Sequence, residues 1–130
     1  MKRVVITGMG INSCIGNTLE DVTHSLQNGI SGTRFNPIYA EMNFKSHISA
    51  AAEQNFDGID RRLKRFMGVC AMYAYNAALA AVQHAGLTAE QIGGNPRYGI
   101  AGGSGGGSTA SVIEMKELLD TKGARLICCG

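Results

Sequence analysis

The sequence predicts an α/β layered fold, and three features carry that reading. Two short apolar runs, residues 3–7 and 98–101, end at glycines and read as buried strands. Helical periodicity fills the stretches between and after them. Glycine clusters follow each strand, where a strand end has to turn into the next layer. Strand, helices, strand, glycine loop and helix in that order make the opening of an α/β layered architecture.

The first run is built on Val4, Val5 and Ile6, and the spacing of Gly8, Gly10 and Gly16 implies a tight turn after it. Thr18 with Asp21 forms a capping box, and Leu19, Val22 and Leu26 repeat at i, i+3 and i+7. This predicts a helix over residues 19–27, closed by Gly29. From residue 30 to 58 the periodicity is lost, so an extended excursion is expected, with one short strand near residues 47–51. Asp60 is placed to cap a basic turn, Arg61-Arg62-Leu63-Lys64-Arg65-Phe66-Met67, with Phe66 and Met67 turned inward. Gly68 separates that turn from the longest helix, residues 69–85, which Gly86 stops. That helix is alanine-rich and apolar nearly all round, which predicts burial on most sides. Thr88 with Gln91 caps a short helix, and Pro96 ends it before the second strand. After the loop at residues 102–107, Ser108 caps a last helix over about 109–121, with Val112, Met115, Leu118 and Leu119 on its inner face. No repeat or linker interrupts residues 1–130, which read as one partial domain.

Composition narrows the function classes. With 45% hydrophobic and 17% charged residues, 18 Gly and 2 Pro, the chain is globular in character. A net charge of +2 gives no argument for nucleic acid. The apolar run after Met1-Lys2-Arg3 lasts three residues, too short for a signal peptide, and no stretch approaches a bilayer span. A cytoplasmic protein, away from membranes, is expected. Cys14, Cys70, Cys128 and Cys129 show no CxxC spacing, so they read as free thiols and no metal is expected. His24, His47 and His84 are scattered and read as surface or hydrogen-bonded residues.

The glycine clusters invite a nucleotide-binding reading that fails on detail. After Gly8-Met9-Gly10 the third glycine of a dinucleotide fingerprint is replaced by Ser13. A P-loop needs lysine before its hydroxyl residue, and Gly107 directly precedes Ser108. No cofactor is expected. Glycine here permits positive φ or close backbone approach. Cys128-Cys129, beside the last residue, has neither scaffold nor basic neighbour and reads as inert.

Several motifs stand together in register: Lys2-Arg3-Val4-Val5-Ile6-Thr7-Gly8-Met9-Gly10, then Ser13 and Gly16; Ser31-Gly32; Asp60-Arg61 with Arg65-Phe66-Met67; Asn95-Pro96-Arg97-Tyr98-Gly99; and Gly103-Ser104-Gly105-Gly106-Gly107-Ser108. In this order and spacing, over residues 1 to about 125, the chain resembles the front portion of the β-ketoacyl-acyl-carrier-protein synthases, the condensing enzymes of fatty-acid and polyketide synthesis. Gly106 makes it most similar to the type I members, since type II members usually carry isoleucine there. The resemblance implies a thiolase-like fold, layered α-β-α-β-α in the complete enzyme, with part of the first half present here. It implies a homodimer in the complete enzyme and acyl carrier protein, acyl- and malonyl-loaded, as partner.

The implied reaction is a decarboxylating Claisen condensation. An acyl chain passes to a cysteine, malonyl-carrier protein loses carbon dioxide, and the resulting carbanion attacks the thioester. A thiolate at a helix N-terminus and imidazoles that stabilise the developing charge carry it. The resemblance places that cysteine and two histidines beyond residue 130, so no catalytic residue is expected here, and Cys14 and Cys70 do not match the family's Ala-Cys elbow. Residues 126–130 also depart from the family pattern, as a frameshift, an incomplete gene or trimming would each produce.

Two roles remain for the chain by resemblance. Gly105, Gly106 and Gly107 fall where the family lines its acyl pocket, and Arg61, Arg62 and Arg65, with Lys122 and Arg125, where it meets the acidic carrier protein. For the charge run alone a solvated face is the ordinary reading. The competing functional reading is a truncated, non-catalytic fragment that retains at most carrier-protein binding.

Overall fold

A computed structural model describes residues 3–53 and 55–123. Among them are α1 (Leu19–Gln27), β1 (Arg34–Phe35), α2 (Pro37–Glu41), β2 (Ile48–Ser49), α3 (Arg61–Lys64), α4 (Val69–His84), α5 (Ala89–Ile92) and α6 (Thr109–Lys122). The helix ends follow local chemistry. At α1, Thr18 Oγ1 accepts the Asp21 amide at 3.1 Å, and Asn28 and Gly29 (φ 62°) close the helix. At α5 the Thr88–Gln91 capping box is complete in both directions. Gly86 adopts φ 68° just past α4, a conformation that glycine takes without strain.

The excursion holds more order than periodicity implied. β1 and β2 pair antiparallel, Arg34 opposite Ser49 and Phe35 opposite Ile48. Between them α2 starts where Asn36 Oδ1 accepts the amides of Ile38 and Tyr39, with Pro37 at the first helical position. Asn-Pro was a helix-start signal inside a stretch without apolar repeat.

α4 is the axis on which the amino-terminal half is laid. Residues 8–12 run antiparallel to it. Met9 N–H donates to His84 Nδ1 at 3.0 Å, and Asn12 Nδ2 donates to the Tyr73 carbonyl at 2.5 Å. A Cβ at Gly8 would collide with the Ala81 carbonyl and stand 2.7 Å from Ala85 Cβ. One at Gly10 would collide with the Ala77 carbonyl and stand 2.7 Å from the Ala81 nitrogen. Two residues of extended chain advance about 6.6 Å and four residues of helix about 6 Å, so glycines two apart meet alanines four apart. Close approach is therefore what these glycines provide.

Elsewhere on α4 the Tyr73 hydroxyl donates to the Ala52 carbonyl at 2.6 Å, and its ring meets Phe56 edge-on, 5.2 Å between centroids. Buried Ser25 on α1 donates to the Ile15 carbonyl at 2.7 Å, and buried Gly32 packs on Cys14. These contacts link Ile15 to α1, Ala52 and Phe56 to α4, and Gly32 to the turn at Cys14.

Several expectations are corrected. Residues 3–7 and 98–101 form no ladder, and Val4 is 94% and Ile100 99% exposed. A buried strand needs neighbours to close its backbone hydrogen bonds, and neither run has one among the described residues. α4 is not enclosed: Met72, Tyr73, Asn76, Ala77, Ala80 and Ala81 are half-buried, while Val69, Tyr75 and Leu79 face out. On α6, Val112, Met115 and Leu119 are exposed and Leu118 is half-buried. Phe66 also faces out, although Met67 is half-buried. In each case the exposed apolar side chains lie where no described residue covers them. Ser108 stands at the N-cap of α6 without capping it, because its hydroxyl accepts from Ser111 Oγ at 2.9 Å instead. No helix among the described residues is long and apolar enough to cross a membrane.

Candidate functional site

The basic turn is set by Asp60. Its Oδ1 accepts the Arg62 amide at 2.6 Å and its carbonyl accepts the Lys64 amide at 3.0 Å, so the four-residue α3 starts at Arg61. Arg61, Arg62 and Arg65 are exposed and, with Asp60, line one shallow concavity. No ion pair among the described residues reaches these guanidinium groups. The concavity thus presents three cations against one carboxylate.

The second basic region stands apart. Lys122 is exposed in the last turn of α6, and Arg125 lies outside the described residues. α6 begins beside the start of α4, where a Cβ on Gly68 would stand 2.9 Å from Ser108 Cβ. Lys122 lies fourteen residues further along, about 20 Å at the helical rise. The two regions flank α6 rather than merging.

The glycine loop leads into that same helix end. Ser104 Oγ donates to the Gly106 carbonyl at 2.6 Å, which pins the turn. A Cβ placed on Gly105, Gly106 or Gly107 would meet no atom within 4 Å, and positive φ occurs at Gly16, Gly29, Gly86, Gly94 and Gly123 but at none of these three. Backbone angles therefore do not demand glycine at position 106.

A cleft of about 370 Å³ opens between the Ser13–Gly16 turn, α1 and Arg34, and sequence reasoning did not single it out. Cys14, Asp21, His24 and Glu53 line it. Cys14 is half-buried and Cys70 exposed, both as free thiols. Histidines play separate parts: His84 holds Met9, and His47 meets Phe35 edge-on at 6.2 Å. Among the described residues no cluster of histidine, cysteine and carboxylate groups has metal-binding geometry.

The β-ketoacyl synthase N-terminal domain model matches residues 1–127. The chain belongs to this family. It is 46% identical to 3-oxoacyl-[acyl-carrier-protein] synthase 1 of Haemophilus influenzae over 109 residues, covering 83% of this chain and 27% of the relative. It is 42% identical to the Escherichia coli K12 protein of the same name over the same length. A crystal structure of a β-ketoacyl synthase from Burkholderia phymatum superposes with a TM-score of 0.74 at 30% identity, covering 93% of this chain and 30% of that one. The fold is thus the thiolase-like α/β fold of the condensing enzymes, of which the chain carries a small part. It spans about a quarter of the length of the curated relatives it matches.

Proposed function

We propose that the chain is the N-terminal portion of a 3-oxoacyl-acyl-carrier-protein synthase, which elongates acyl chains by decarboxylating Claisen condensation with malonyl-carrier protein. The family match over residues 1–127 carries this reading. The chain's own share is structural and recognitive rather than chemical. Residues 8–12 on α4 form the scaffold, the α3 arginines receive the carrier protein, and the glycine loop leaves room for the acyl chain. Residues 3–7 and 98–101 become core strands once the remainder of a synthase supplies their neighbours, with the complete enzyme dimeric and cytoplasmic. The exposed apolar runs support that reading, since isolated strands of this composition gain little from solvent.

Carrier docking at α3 follows from charge. Three cations with one carboxylate among them attract an acidic surface, with an attraction that salt screens. Lys122, in the last turn of α6, makes a second point of contact together with Arg125, which follows it in the sequence. Replacing Arg61, Arg62 and Arg65 together by glutamate is expected to weaken carrier-protein affinity roughly tenfold or more at low salt and to flatten its salt dependence. Titration calorimetry at two ionic strengths reads this. Unchanged affinity would remove the docking role.

The acyl-pocket role rests on Gly106. A side chain there meets open space in this chain and, in the complete enzyme, takes up pocket volume. In a completed synthase, Gly106→Ile is expected to reduce elongation of long acyl chains at least tenfold while short chains are spared, a selective loss of about 1.4 kcal/mol or more. Equal loss at all chain lengths, or loss of folding, would contradict the pocket role.

A further inference from the structure

We propose that Asp60 limits how tightly the α3 arginines hold an acidic partner, while fixing the turn that presents them. This rests on the carrier-docking reading and adds the one group there that opposes docking. Ile59 is buried, and its amide donates to the Phe56 carbonyl at 3.1 Å, so the residue before Asp60 is anchored. Asp60 Oδ1 accepts the Arg62 amide at 2.6 Å, which holds the carboxylate at the start of α3. The same residue lines the concavity of Arg61, Arg62 and Arg65. No ion pair among the described residues involves Asp60 or these arginines. The carboxylate thus adds its charge to the field that a partner meets, without closing the guanidinium groups off in direct pairs.

Capping does not require this charge. Asn accepts a helix amide as well as Asp does. Among the described residues, the other side-chain caps are neutral: Thr18 at α1, Asn36 at α2 and Thr88 at α5. At α3 the cap is anionic, and it stands where three cations gather. An anion there subtracts from the pull on an acidic surface, and the difference is one that salt screens. Exposed Asp57 and half-buried Lys64 are the other charged groups of residues 57–65, and neither lines the concavity. Restraint suits the proposed reaction, in which an acyl-loaded carrier must leave before a malonyl-loaded one docks.

Titration calorimetry of the 130-residue chain with acyl carrier protein, at low and at high salt, tests this. Asp60→Asn keeps a capping oxygen and removes the charge. Affinity should rise roughly threefold at low salt, and the gain should vanish at high salt. Asp57→Asn removes the same charge outside the concavity and should gain clearly less. Asp60→Ala removes charge and cap together, so exchange of the Arg62 amide should quicken and the gain should fall below that of Asn. Unchanged or weaker binding by Asp60→Asn, an equal gain from Asp57→Asn, or a gain that survives high salt would overturn the proposal. If Asp60→Asn does nothing while charge reversal of the arginines weakens binding, Asp60 has no such role and docking stands. If neither changes affinity, the docking reading falls with it.

Discussion

Incubated with acyl- and malonyl-loaded carrier protein, the 130-residue chain is expected to give no elongation above the uncatalysed background. Condensation needs a thiolate beside imidazoles and oxyanion donors. Cys14 is half-buried beneath Gly32. Cys70 is exposed in the first turn of α4, a suitable place for a nucleophile. The histidine on that helix, His84, is fourteen residues away, however, about 21 Å along the axis. Malonyl-dependent elongation assayed on purified chain measures this. Turnover that disappears in Cys70→Ser or Cys14→Ser would contradict it.

A methyl group on Gly10 should destabilise the fold more than alanine at any exposed glycine. The new Cβ collides with the Ala77 carbonyl and approaches the Ala81 nitrogen, both held in the backbone of α4. Neither can rotate aside as a side chain would. Residues 8–12 must then lift off the helix, and Asn12 loses its bond to Tyr73. Overpacking of this kind costs about 3 kcal/mol, a large share of a small domain's stability. Gly8→Ala, against the Ala81 carbonyl and Ala85, should cost a similar amount. Gly58→Ala is the control, since a Cβ there meets nothing within 4 Å. Urea unfolding should separate the two classes by a clear shift in midpoint; equal midpoints would mean that residues 8–12 do not lie on α4.

Elements governed by local chemistry were legible in the sequence. Thr18, Asp60 and the Thr88–Gln91 pair start helices where their side chains reach backbone amides, and Gly29 and Gly86 end them by adopting left-handed angles. Elements that depend on partners were not. Val4, Val5 and Ile6 have strand composition, but a strand is a property of two chains side by side. The same holds for the exposed apolar residues of α4 and α6, which the sequence contains without saying what covers them. α2 was missed because Asn36-Pro37 acts without an apolar repeat. Of the candidate site, the arginines were legible as a capped basic turn. The match between Gly8, Gly10 and the alanines at 77, 81 and 85 was present as two periods, two and four, that only the packing brings together.

A chimera tests the central claim most directly. Residues 1–127 of this chain, joined to the remaining portion of the Haemophilus relative, should fold as a soluble enzyme that elongates acyl chains from malonyl-carrier protein. Its activity should fall when Arg61, Arg62 and Arg65 are reversed in charge. A soluble, folded chimera with no elongation would contradict the proposal that these residues supply a working N-terminal portion of a synthase.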